Sequence, residues 1–134
     1  MYTESLRQAQ RNVKRQWDMY EQDTRHLRAK YKEFDFILAG DINARMGRPR
    51  DSTERMYLGR FGEDFRNPDG ARALQYLIKQ DMVCLNGREF TPTVEFTSHS
   101  PADPTNTSVI DVICVSRGMM RSAYTAGVAV LPPI

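Results

Sequence analysis

The chain has 134 residues, 40% of them hydrophobic and 27% charged, the makeup of one globular unit with enough apolar material for a modest core. No run approaches the roughly 18 consecutive apolar residues of a membrane span, and the first residues are polar rather than signal-like, so the expectation is an intracellular protein, the nucleus included, with no membrane partner. A formal net charge of +2 gives little non-specific pull on nucleic acid, and Cys84 and Cys114, each inside an apolar run, read as buried thiols rather than a disulfide or a metal pair.

Between Glu4 and about Lys32 there is neither Gly nor Pro, and apolar residues recur at Leu6, Val13, Trp17, Tyr20, Leu27 and Tyr31. That spacing predicts one long amphipathic helix. Its other faces carry Arg7, Arg11, Lys14, Arg15, Arg25, Arg28 and Lys30 against few acids, a solvated surface more than a nucleic-acid contact. Phe34 to Ala39 is a short apolar run halted by Gly40, whose length and turn residue predict a buried strand. Arg45 to Arg72 turns polar and rich in Gly, Pro, Arg and Asp, which predicts a long surface loop with one short ordered piece.

Ala71 to Lys79 follows as a helix with Leu74, Leu77 and Ile78 as its apolar positions, then Met82 to Leu85 as a second strand and Asn86-Gly87 as a turn. Glu95 to Ser98 and Val109 to Val115 predict further strands on either side of a Pro101 to Thr107 loop. The apolar stretch Ala126 to Leu131, closed by Pro132-Pro133, predicts the last strand. The order predicts a layered α/β domain with mixed strands.

Two constellations carry possible chemistry. Gly40-Asp41-Ile42-Asn43 follows an apolar strand directly, so that an acid and an amide two residues apart would leave the strand's end toward the same cleft, although Asp and Asn after Gly are also common turn residues. In Ser108-Val109-Ile110-Asp111 the acid sits inside an apolar strand, where it either has a partner or faces solvent from an edge.

In order along the chain, Ile37-Leu38-Ala39-Gly40-Asp41-Ile42-Asn43-Ala44, Asn67-Pro68-Asp69-Gly70 ahead of a helix, Leu85-Asn86-Gly87-Arg88, Phe96-Thr97-Ser98 and Ser108-Val109-Ile110-Asp111 resemble the motifs of the endonuclease/exonuclease/phosphatase superfamily. They are most similar to its non-LTR retrotransposon endonucleases, whose domains accompany a reverse transcriptase. The resemblance covers most of the chain from Phe36 onward. It implies a partial four-layer α/β sandwich of the DNase I-like kind, with a mixed sheet and the long N-terminal helix, and one incomplete domain over 1–134.

The implied reaction is hydrolysis of a DNA phosphodiester by an activated water with Mg2+ or Mn2+. Asp41 would hold and deprotonate the water and touch the metal, Asn43 would donate to the phosphate, and Asp111 would orient the family's terminal histidine. Arg45 and Ser108 are the implied substrate-binding positions. Ile42 stands for the family's usual Phe and Val112 for its Tyr. The sequence ends before the expected Ser-Asp-His, neither His26 nor His99 takes its place, and Glu4, Glu21 and Glu33 match no metal-binding motif. An inactive or weakly active fragment is therefore expected. The alternative is a non-catalytic interaction module on the same scaffold, forming a homodimer through an exposed half-sandwich face.

Overall fold

The computed structural model describes residues 4–88, 96–103 and 105–122. Helix α1 (Glu4–Lys30) leads to strand β1 (Ile37–Asp41), a short helix α2 (Ser52–Arg55), helix α3 (Pro68–Gln80), strands β2 (Met82–Cys84), β3 (Ser98–His99), β4 (Thr107–Ser108) and β5 (Asp111–Ser116), and a 3-10 helix (Arg117–Ser122). The chain is thus of mixed α/β character, as its pattern predicts. The expected strand over Ala126 to Leu131 lies outside the described residues.

The sheet has the order β1-β5-β2, and β5 runs antiparallel to both neighbours. β1 and β2 therefore point the same way, joined through α3, and β5 enters between them from the opposite direction. This insertion is why the expected mixed sheet is not found among the described residues: the two like-directed strands never touch, and the β3–β4 pair is antiparallel as well.

Alternation along the strands separates two faces. Leu38, Val112, Cys114, Met82 and Cys84 point inward, against Leu74 and Leu77 of α3. Cys114, at 0% exposure, and Leu77 are among the most deeply buried side chains, so the helix covers this face closely. The other face carries Ile37, Ala39 and Asp41 of β1 opposite Val115, Ile113 and Asp111 of β5. Val83 and Val115 are buried there, but Ile37 is 63% exposed and Ile113 43%, so this face opens toward β1. A helical layer on one face of a sheet is what the described residues form.

α1 packs on α3 through its middle and second half. The buried Trp17 ring lies 5.5 Å from the Tyr76 ring, the Thr24 and Tyr76 hydroxyls share a 2.6 Å hydrogen bond, and Arg28 donates to the Gln80 carbonyl. Leu6, Tyr20, Leu27 and, just past the helix, Tyr31 stay exposed, so much of the apolar stripe read from the sequence faces solvent. No helix among the described residues is long and apolar enough to cross a membrane.

The segment from Arg45 to Arg72 differs most from its expectation. Composition predicts a solvated loop, yet Met46, Tyr57, Leu58, Gly59 and Glu63 are buried and α3 already starts at Pro68. Proline at the first helical positions and Asn67 as N-cap explain that early start.

Candidate active site

β1 ends where the chemistry is expected. Gly40 has φ +138°, a backbone conformation that L side chains rarely adopt, and the strand passes through it to Asp41 instead of stopping. Asp41 is then paired in register with Asp111, the first residue of β5. The flanking bond from the Ile42 N–H to the Ile110 carbonyl, 2.8 Å, makes 41/111 a non-hydrogen-bonded pair, the kind in which facing side chains come closest. Both carboxylates leave the same, open face at one edge of the sheet, Asp41 exposed and Asp111 half-buried.

Asn43 joins them through the backbone. It sits at φ 47°, a left-handed conformation that Asn tolerates, and its N–H donates to Asp41 Oδ1 at 2.7 Å. That bond fixes one carboxylate oxygen and leaves the carboxamide of Asn43 exposed. Ile42 between them turns inward onto the core, the anchoring its apolar character predicts.

Asp111 is held by its main chain on the side away from Asp41. Thr97 Oγ1 accepts from the Asp111 N–H at 3.1 Å and from the Ile110 N–H at 3.0 Å, and Asn86 Nδ2 donates to the Asp111 carbonyl at 3.0 Å. Asn86 Oδ1 in turn accepts from the Ile113 N–H at 3.1 Å. Asn86 and Thr97 stand in the site's immediate support, and the sequence marks them only as a turn residue and part of a Phe-Thr segment.

A second support lies under Asn43. Asn67 Oδ1 accepts from the N–H groups of Gly70 and Arg45, at 2.7 and 3.1 Å, while its own N–H donates to the Arg45 carbonyl at 3.0 Å. Gly70 comes so near this segment that an added Cβ would stand 1.7 Å from the Arg45 oxygen. The Asn-x-x-Gly element thus clamps the backbone that follows Asn43 to the start of α3.

Arg45 and Ser108, expected at the substrate, both have partners within the protein. The Arg45 guanidinium is ion-paired with Glu63 at 2.6 Å, lies 4.2 Å from the Phe65 ring centre and reaches toward the Thr107 carbonyl. Glu63, only 5% exposed, also accepts from the Val109 N–H at 3.1 Å, so this pair ties the loop to the strand that brings in Asp111. No sequence signal separates Glu63 from the other acids of the polar segment. Ser108 pairs with Ser98 in the small β3–β4 ladder, three residues ahead of Asp111. His26 is exposed on α1 and His99 exposed on β3.

No group of three or more His, Cys, Asp or Glu side chains suited to a metal occurs among the described residues. The donors that do come together are two carboxylates, Asp41 and Asp111. Hard oxygen donors in that number suit Mg2+, which keeps several waters and takes one or two carboxylates together with substrate phosphate oxygens. Like charges facing directly across two strands destabilise the pair. No protein-family model, no curated protein and no solved structure matches the chain.

Proposed function

We propose that this chain carries part of the catalytic centre of a metal-dependent phosphodiesterase, of DNA endonuclease type, within a DNase I-like fold. The observation that supports it is the register of β1 on β5, which sets Asp41 against Asp111 with Asn43 tied to Asp41. Five sequence motifs predict one acid, one amide and a second acid at a shared site, and these residues meet at one sheet edge.

Asp41 has one oxygen committed to the Asn43 N–H and another left to take a proton from the attacking water. The Asn43 carboxamide donates to the phosphate as charge grows in the transition state, without adding a charge of its own. Asp111, its main chain held by Thr97 and Asn86, orients the histidine that the family supplies after its last strand. Asp41 and Asp111 would hold Mg2+ or Mn2+, and the bound ion supplies neutralisation of phosphate charge.

Two measurements test this. Mn2+ titrated into labelled protein should broaden the resonances of residues 41–43 and 111 first, and broadening centred elsewhere overturns the site. Plasmid nicking in Mg2+, by the chain mixed with the complementary N-terminal half of such an endonuclease, should fall by about 10²-fold or more in Asp41→Ala. Nicking that survives the substitution overturns the role of Asp41.

A second reading, the interaction module, is favoured by the open sheet face with Ile37 and Ile113 exposed beside the acids. It predicts a concentration-dependent dimer in sedimentation that Ile37→Ser and Ile113→Ser abolish; a monomer at all concentrations overturns it.

A further inference from the structure

Positive charge gathers away from the acid pair. A cavity of about 800 Å³ is lined by Arg48, Arg55, Arg60 and Arg88 with Leu58 and Met120 on its apolar wall, and no acid lines it among the described residues. Other grooves are mixed: one of about 520 Å³ on α1 sets Arg15 and Arg25 beside Asp18 and Glu21, and one of about 370 Å³ sets Arg28, Lys32 and Arg117 beside Asp35 and Asp81. A net charge of +2 for the chain therefore hides a strongly basic hollow.

The hollow stands on a fixed base. The Tyr57 carbonyl accepts from the Cys84 N–H at 2.8 Å, the Phe61 N–H donates to the Gly87 carbonyl at 3.0 Å, and a Cβ on Gly59 would meet the Asn86 carbonyl at 2.3 Å. Arg88 donates to the Cys84 carbonyl at 2.9 Å and to those of Arg55 and Met56 at 3.4 Å, closing the end of α2 onto β2. Arg55 and Arg60 are exposed upon this base, Arg60 stacked 4.8 Å from the Phe61 ring centre. Arg48 has a 3.5 Å pair with Asp64, both side chains well exposed, a bond weak enough to exchange for a phosphate.

We propose that this hollow is a cradle for the phosphodiester backbone of a nucleic acid. Arg48, Arg55 and Arg60 bring three guanidinium groups to it, more than a single phosphate neutralises, each a planar fork of the kind that grips phosphate oxygens in pairs, while Arg88 is engaged on the backbone carbonyls of the base. Leu58 and Met120 suit the sugar faces between successive phosphates. The Asn86-Gly87 turn that floors the cradle also holds the Asp111 carbonyl, so one rigid turn sets the cradle's position relative to the acid pair. This rests on the phosphodiesterase reading for its purpose, but binding is measurable without turnover.

The test is fluorescence anisotropy of a labelled duplex oligonucleotide in EDTA, across a salt series. Arg55→Gln/Arg60→Gln should bind at least about 10-fold more weakly, and the slope of log affinity on log salt should shrink by about 2, near 0.9 for each phosphate no longer neutralised. Arg7→Gln/Arg15→Gln removes the same charge from exposed positions of α1 and should stay within about 2-fold. Arg55→Lys/Arg60→Lys, with charge kept and the fork removed, should fall between. Equal losses in the two glutamine pairs, tighter binding to phosphatidylserine vesicles than to DNA, or displacement of DNA by pyrophosphate at equal phosphate concentration each overturns the cradle. DNA binding through these arginines with no nicking even when the chain is mixed with the complementary N-terminal half sinks the phosphodiesterase reading alone; nicking by that mixture with binding unchanged across the variants sinks the cradle alone.

Discussion

The two faces of the β1-β5-β2 sheet are built from the same strands and serve different ends. Inward, Cys114, Met82 and Leu77 of α3 are closed from solvent, and their neighbours Leu38, Val112 and Cys84 complete a dense layer. Outward, Ile37, Ala39 and Ile113 lie open, and the same strands end in Asp41 and Asp111. A strand has to alternate, so a register that buries Leu38 against Cys114 also sets the two acids face to face, with no separate device to hold them. The helix-covered apolar layer lies on one face, and the two acids on the other.

Substitutions on the two faces should therefore separate, and the largest effects belong inside. Leu77→Ala leaves a cavity under the inner face and should cost about 3 kcal/mol, read as a shift of the urea midpoint. Gly70→Ala should cost a similar amount, because its Cβ would collide with the backbone oxygen of Arg45 rather than with a side chain that can swing aside. Ile113→Thr on the open face should cost under about 0.5 kcal/mol. A loss there as large as that of Leu77→Ala would mean that a partner or another segment covers the outer face.

Thiol chemistry sharpens the same contrast. Cys84 and Cys114 face each other on the inner layer, where Cys84 donates its N–H to Tyr57 rather than to β5, so the side chains are close. The hydrogen bond with Cys84, and then burial, hold the Cys114 thiol well above its ordinary range. Neither thiol should react with a thiol-specific dye at neutral pH until denaturant is added. Fast labelling of Cys114 in the folded protein would show that the inner layer opens.

The sequence shows some of this plainly and hides the rest for physical reasons. Local pattern suffices for α3, for β2 and for the centre of β5, since each buries its own apolar period. It misplaces β1 by treating Gly40 as a stop, because composition does not reveal that a glycine at positive φ carries the strand on to Asp41. It cannot tell the polar segment after Arg45 from a solvated loop, because Glu63 and Asn67 look like surface residues until Arg45 and Gly70 are brought to them. The motifs do single out Asp41, Asn43 and Asp111, but only pairing between strands far apart in sequence shows that two of them face each other.

That facing pair supports the smallest effect and the most specific one. Two carboxylates directly opposite on one face should repel, in low salt by about a few tenths of a kcal/mol for a pair with one member exposed and the other half-buried. Asp41→Asn and Asp111→Asn should each raise folding stability by about that much. The double variant should gain scarcely more than either single, since one substitution already removes the repulsion, so a double-mutant cycle isolates the coupling. Added salt should erase the gain in the single variants, and Mg2+ should stabilise the parent chain but neither variant, as expected when two oxygen donors share one cation. Additive effects in the cycle would place the carboxylates apart in solution, and the proposed site would then lack the juxtaposition on which it rests.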